Sequence, residues 1–223
     1  MSNTASACQD LAPTVDTHSA APTTDRRFLE TEVIETSATE VDTLAAERAV
    51  RDLLVALGED PTDASLRETP RRVAAAFTEL LRPQPFQLTT FPNEAGYHEP
   101  VIVRDIPVRS LCAHHMLPFI GVAHVAYLPG ERIVGLSKLA RLVEHFSRRL
   151  QVQEQLTAQI ADALVEQLRP RGVGVLVSAE HLCMTVRGVR ARGTHTTTSA
   201  LRGLVREDPS LRAELIAELR AQR

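Results

Sequence analysis

The chain contains no tryptophan, and aromatic residues make up only 4% of it. Its 43% of apolar residues suffices for a packed core, which must then be built from Leu, Val, Ile and Ala. Three cysteines are too few, and odd in number, for a disulfide scaffold. No apolar run approaches the ~20 residues that a membrane-spanning helix needs. The opening residues MSNTASACQDLAP have neither the basic nor the apolar region of a secretion signal. The expected compartment is therefore cytoplasmic, with Cys8, Cys112 and Cys183 reduced. Lysine is almost missing: Lys138 stands alone among 25 basic residues, the rest being arginine. The net charge is only −3, and it is unevenly spread. Residues 1–41 hold seven acids against two arginines, which leaves the rest of the chain at +2. That balance suits an anionic small molecule and is too weak and scattered for nucleic acid.

Residues 1–41 read as a disordered acidic tail, with Val33 and Ile34 the candidates for a short ordered patch. Beyond it, Leu44, Val50, Leu53, Leu54 and Leu57 recur at helical spacing up to Gly58. A second helix is expected over 71–81, with Thr69 as its N-cap and Pro70 at its first position. Residues 101–108 and 119–128 read as strands. Residues 137–150 and 153–168 read as helices with one apolar face each. Two more strands are expected over 172–179 and 183–189, and a short helix over 209–220. This order predicts an α+β fold with an antiparallel sheet. Exposed edges of such a sheet favour association through them.

The chemistry-bearing residues cluster after the strands. Cys112-Ala113-His114-His115 follows the first strand, and Cys183 opens the expected last one. Cys112 and His115 are three apart, so one tight turn offers a thiolate and an imidazole to one metal. If the loops of the first and last strands meet, Cys112, His115 and Cys183 form a Cys2His set with an open fourth position, the mark of a catalytic zinc site. Two other readings stay open. The cysteines can be ordinary buried or loop thiols, or His114 or His181 can fill the fourth position of a closed structural site. His181, two residues before Cys183 on the same expected strand, shares its face and stands placed for proton transfer. His124 and His145 have no such company and read as structural. Lys138 and Arg141 share a face of the helix that opens at Ser137, where backbone N–H groups favour phosphate. The bland alternative there is a solvated basic face. Gln153 and Glu154 open the next helix, where an acid suits the macrodipole. The threonine-rich run 194–199 reads as a polar loop.

Together, seven segments resemble the GTP cyclohydrolase I family. They are Glu68-Thr69-Pro70-Arg71-Arg72, Cys112-Ala113-His114-His115, Gly135-Leu136-Ser137-Lys138-Leu139-Ala140-Arg141, Gln151-Val152-Gln153-Glu154, His181-Leu182-Cys183, Arg187-Gly188-Val189-Arg190 and Thr196-Thr197-Thr198-Ser199. The resemblance runs from about Leu53 to about Leu204. It implies the tunnelling fold over residues 101–223, a four-stranded antiparallel sheet with helices on one face, preceded by an N-terminal helical region over 42–100. It implies hydrolysis of GTP to 7,8-dihydroneopterin triphosphate and formate, the first step of tetrahydrofolate and pterin synthesis. Zinc is implied on Cys112, His115 and Cys183, with proton transfer by His181 and His114 near the ribose. Ser137 is associated with the later sugar rearrangement. Glu154 and Gln153 are implied to bind the substrate, Glu154 at the guanine edge, where a carboxylate can accept from N1 and the 2-amino group at once. Lys138, Arg141 and Arg187 match triphosphate contacts, and Arg72 matches one contributed by a neighbouring subunit. The family assembles into a ring-shaped homodecamer with sites at subunit interfaces; neither a nucleic acid nor a membrane is an expected partner.

One position departs from the family pattern. Ala113 stands where the family usually has Glu, which removes a carboxylate beside the expected metal. That departure motivates an alternative of another class, a non-catalytic nucleotide-binding paralogue. The retained His114 and His181 argue against it. A further alternative keeps the reaction and places it in deazapurine or other pteridine metabolism.

Overall fold

The computed structural model describes residues 40–220, together with the backbone of 29–30. Cys8, Val33, Ile34 and most of the expected acidic tail lie outside the described residues. Helix α1 (Thr43–Ala56) starts where Asp42 accepts from the Ala45 N–H at 2.8 Å, and Gly58 follows its end at φ +87°. Helix α2 (Thr69–Leu80) has Pro70 in its first turn as expected. Its cap is Glu68 rather than Thr69, and no side chain caps it, because the Glu68 carboxylate is drawn to Arg71 at 2.9 Å. The two helices pack against each other, and α1 buries none of its residues.

A small sheet joins β1 (Leu29–Glu30), β2 (Thr89–Pro92) and β5 (Arg132–Val134), so residues 89–92 are tied to the body across residue 100. The main sheet holds four long antiparallel strands in the order β3 (Val101–Cys112), β4 (Pro118–Leu128), β7 (Gly172–His181) and β8 (His195–Gly203). The short β6 (Leu150–Gln151) adds to the outer side of β3, parallel to its last two residues. Helices α3 (Leu136–Ser147) and α4 (Gln153–Leu168) lie across one face. There Leu139, Leu142, Leu156, Ile160 and Leu164 meet the inward valines of β3, β4 and β7 in one dry core. The other face is partly covered. Val205 of α6 (Leu204–Glu207) and Leu215 and Leu219 of α7 (Pro209–Arg220) pack on Ala126, Leu128 and Leu176. Gly174 permits this contact, since a Cβ there would run into the Leu215 side chain. Covered on both faces, β7 reads as an almost unbroken apolar run. No helix among the described residues is long and apolar enough to cross a membrane.

Two expectations about elements fail at the same place. Residues 183–189 are not a strand: α5 (Leu182–Thr185) makes a single helical turn, closed by the Val186 N–H on the Leu182 carbonyl at 3.1 Å, and Gly188 turns the chain at φ +58°. The last strand is β8, which takes in most of the threonine-rich run expected as a loop. β-Branched threonines suit β8, an edge strand paired only on its β7 side. The helix expected over 137–150 also stops at Ser147, because the chain becomes extended to pair β6 with β3.

Candidate metal centre and cleft

The centre is built where β3 ends and β7 begins its exit. The Cys112 N–H donates to the Leu117 carbonyl at 2.9 Å and the Met116 N–H to the Cys112 carbonyl at 2.8 Å, which closes a tight turn between β3 and β4. Met116 completes the turn at φ 54°, a left-handed conformation that costs a non-glycine residue about 1 kcal/mol or more. The Ala113 N–H is held by the Gln151 carbonyl at 2.9 Å, so β6 buttresses the turn from the side. Within it, the Cys112 sulfur lies 3.9 Å from Nδ1 of both His114 and His115.

Cys183 reaches this turn from α5. His181 is the last residue of β7 and Cys183 lies in the helical turn after it, so the two do not share a strand face as expected. The helical turn serves the same end by a different geometry. The donor atoms of Cys112, His115 and Cys183 all lie within 4.8 Å of one another. Burial pushes the Cys183 thiol up, the Cys112 sulfur beside it adds to the effect, and Arg187 opposes it. Two thiols and an imidazole so placed can hold a metal ion, and a cation is what two adjacent thiolates require.

A cleft of about 260 Å³ opens beside these donors, lined also by His114, Gln153, Glu154, His181 and Thr196. The His181 ring stacks on Phe119, with centroids 4.7 Å apart and planes at 12°. Its Nε2 lies 2.7 Å from Oε1 of Gln153. Burial holds His181 below the usual histidine range, and the Glu154 carboxylate opposes that shift. Glu154 is exposed in the first turn of α4, while Gln153 beside it is buried with its amide engaged by protein groups.

The chain thus brings seven expected site residues together: Cys112, His114, His115, Gln153, Glu154, His181 and Cys183. Arg187 stands just outside, close enough to act on Cys183. Ser137, Lys138, Arg141 and Arg72 do not reach the cleft. Ser137 and Lys138 open α3, whose other end leads into β6 beside Cys112, so the helix's roughly 18 Å separates them from the metal donors. Arg141 lines a different cleft of about 490 Å³ between α2, β3 and α3. Arg72 is exposed on α2. Residue-by-residue reading gave no role to Phe119, Thr157 or Thr198, which support the cleft from behind. The period-2 recurrence of Thr196 and Thr198 was the available signal for Thr198.

A model of the GTP cyclohydrolase I family matches residues 46–220. Proteins named GTP cyclohydrolase 1 are similar over most of the chain. One from Streptomyces avermitilis is 52% identical over 190 residues, covering 82% of this chain and 93% of its own. One from Thermobifida fusca is 55% identical over 181 residues, covering 78% and 86%. One from Caldanaerobacter subterraneus subsp. tengcongensis is 49% identical over 187 residues, covering 82% and 100%.

Proposed function

The chain belongs to the GTP cyclohydrolase I family, and from that premise we propose that it hydrolyses GTP to 7,8-dihydroneopterin triphosphate and formate, the entry to tetrahydrofolate and pterin synthesis. The observation that carries the reading is the convergence of Cys112, His115 and Cys183 within 4.8 Å, beside His181 and Glu154 in one cleft. The donor set is that of a catalytic zinc site with three protein ligands. Zinc held there supplies Lewis acidity near neutral pH.

The chain's own residues do the rest. Glu154, exposed at the cleft, can accept from N1–H and the exocyclic amine of a guanine, a pair of donors that adenine does not offer. His181 is a half-buried imidazole kept neutral by its surroundings, ready to take a proton from the purine and return it. His114, on the same turn as the metal donors, lies on the path of the ribose. Arg187 is the nearest cation for phosphate.

The remaining cations require a second copy of the chain. Lys138, Arg141 and Arg72 lie away from the cleft of their own chain, and α1 leaves Leu53 and Leu57 at 57% and 69% exposure. A homo-oligomer, the ring-shaped decamer of the family, would bring cations of one subunit to the cleft of another and cover those leucines. Ala113 leaves the three metal donors in place, which favours activity over a binding-only role. Zinc-loaded protein incubated with GTP is expected to release formate and a product that becomes a fluorescent pterin on oxidation. Absence of both from a zinc-loaded, assembled sample overturns the reading.

A further inference from the structure

Building on the cyclohydrolase reading, we propose that Gln153 is a positioning residue: it fixes His181 as the Nε2–H tautomer and leaves Nδ1 as the nitrogen that exchanges the substrate's proton. Hydrogen counting behind the cleft fixes the assignment. The Thr157 hydroxyl donates to the Gln153 carbonyl at 2.7 Å, so in its 2.6 Å contact with Thr198 it accepts. Thr198 Oγ1 then keeps a lone pair for the Gln153 amide. That amide nitrogen lies 2.9 Å from the Thr196 carbonyl, 3.1 Å from the Val177 carbonyl and 3.2 Å from Thr198 Oγ1. Turned over, the amide would set its own oxygen against two carbonyl oxygens and orphan them. Oε1 must therefore face His181, and the ring nitrogen 2.7 Å away must donate.

Three consequences follow for the reaction. Gln153 is 2% exposed and both ends of its amide are occupied by protein, so it holds His181 and not the substrate. Stacking on Phe119 restricts the ring's tilt, and the hydrogen bond to Gln153 restricts its rotation. A proton accepted by the Nδ1 lone pair gives the imidazolium, and its departure from Nδ1 restores the neutral ring. The Nε2–H bond to Gln153 persists through both states, so nothing in the support must rearrange during turnover.

The test is 15N NMR of histidine-labelled protein, with and without zinc, His181 being assigned by its loss in His181→Gln. Wild type is expected to carry hydrogen on Nε2 and none on Nδ1 in the neutral ring; the opposite overturns the proposal without any variant. Gln153→Met is similar in size but accepts no hydrogen bond. It is expected to lose the tautomer preference and about 10–100-fold in kcat with KM unchanged, the usual cost of removing an orienting partner. A raised KM at unchanged kcat in Gln153→Met would make Gln153 a substrate contact and overturn the assignment. If Gln153→Met does not fold, the wild-type spectrum decides. Wild type that fails to turn over GTP refutes the activity, whereas the spectra still decide the tautomer.

Discussion

Leu164 on α4 and Leu53 on α1 occupy similar places, each on the apolar stripe of an amphipathic helix, yet one is fully buried and the other 57% exposed. Around Leu164 the chain supplies its own partner, the valines of the sheet. Around Leu53 the described residues supply α2, and more than half of the leucine stays exposed. The same division runs through the functional residues. The proposed metal donors, proton-transfer histidine and guanine carboxylate come together within one chain, at the ends of β3 and β7 and in the first turns of α4 and α5. The proposed phosphate contacts Arg72, Lys138 and Arg141 lie on α2 and α3, outside that cleft. An apolar stripe therefore shows that a face will be covered, while only the surrounding fold shows by what. On the reading proposed above, the part left open is also the part that would carry charge to a neighbouring subunit's cleft.

The largest effect expected is on the finished side. Cys183→Ala should lose bound zinc and reduce formate release to background, read by metal analysis together with GTP turnover. Retention of both would remove Cys183 from the donor set and with it the claim that the centre closes within one chain. Next come the two leucines. Leu164→Ala should cost about 2–5 kcal/mol of unfolding free energy in denaturant titration, the range for a large-to-small change in a core. Leu53→Asp should leave the far-UV circular dichroism of the chain intact and lower the assembled mass in light scattering. If Leu53→Asp kept the wild-type mass, α1 would be plain solvent surface and the comparison would collapse.

Much of this division was visible in the sequence, for reasons that differ by element. The helix over 153–168 emerges with its expected bounds, because its apolar residues recur at helical spacing up to Arg169-Pro170, and the last helix occupies the expected 209–220. The strands around 101–108 and 172–179 were recognisable by β-branched apolar runs, but their lengths were underestimated, since Ser110 and Cys112 look polar and reactive while lying buried in β3. The segment after His181 failed because Cys-Met-Thr-Val is strand-like in composition. What overrides it is the need to swing Cys183 back toward Cys112, a tertiary demand that no local window contains. The metal donors were legible from spacing and resemblance. The Gln153 amide network was not, since it joins residues 24 and 43 positions apart through backbone carbonyls that carry no sequence signature.

On the unfinished side, Lys138→Ala tests whether the remote cation serves a neighbour's cleft. Loss of a charged contact to phosphate costs about 1.5–3 kcal/mol, roughly 10–100-fold in kcat/KM for GTP. Zinc content and assembled mass should stay at wild-type values. A weakened Lys138→Ala subunit mixed with an inactive Cys183→Ala subunit should then exceed the activity of either alone, because some interfaces would pair an intact cleft with an intact lysine. Absence of any recovery in verified mixed oligomers would place the lysine and the cleft in the same chain after all.

The smallest expected effect concerns His145, on the buried face of α3, where the finished core meets the loop that follows α2. Its Nδ1 donates to the Gln84 carbonyl at 2.8 Å, and its Nε2 lies 3.1 Å from a guanidinium nitrogen of Arg149, which must donate. The neutral ring satisfies both partners. Burial is the main cause that holds it below the usual histidine range; the Gln84 carbonyl opposes this and the Arg149 charge adds to it. The unfolded chain, with an ordinary histidine near 6.5, therefore binds this proton more readily than the folded one. The contribution is fully present above the unfolded value and is lost as pH falls through it toward the folded value. His145→Phe, close in size and unable to titrate, should be less stable than wild type at pH about 7.5 and should approach it as pH falls to about 5.5, by the linkage of proton binding to unfolding. A wild-type advantage that stayed constant across that interval would mean that His145 holds the loop through packing against Phe86 and Phe146 alone.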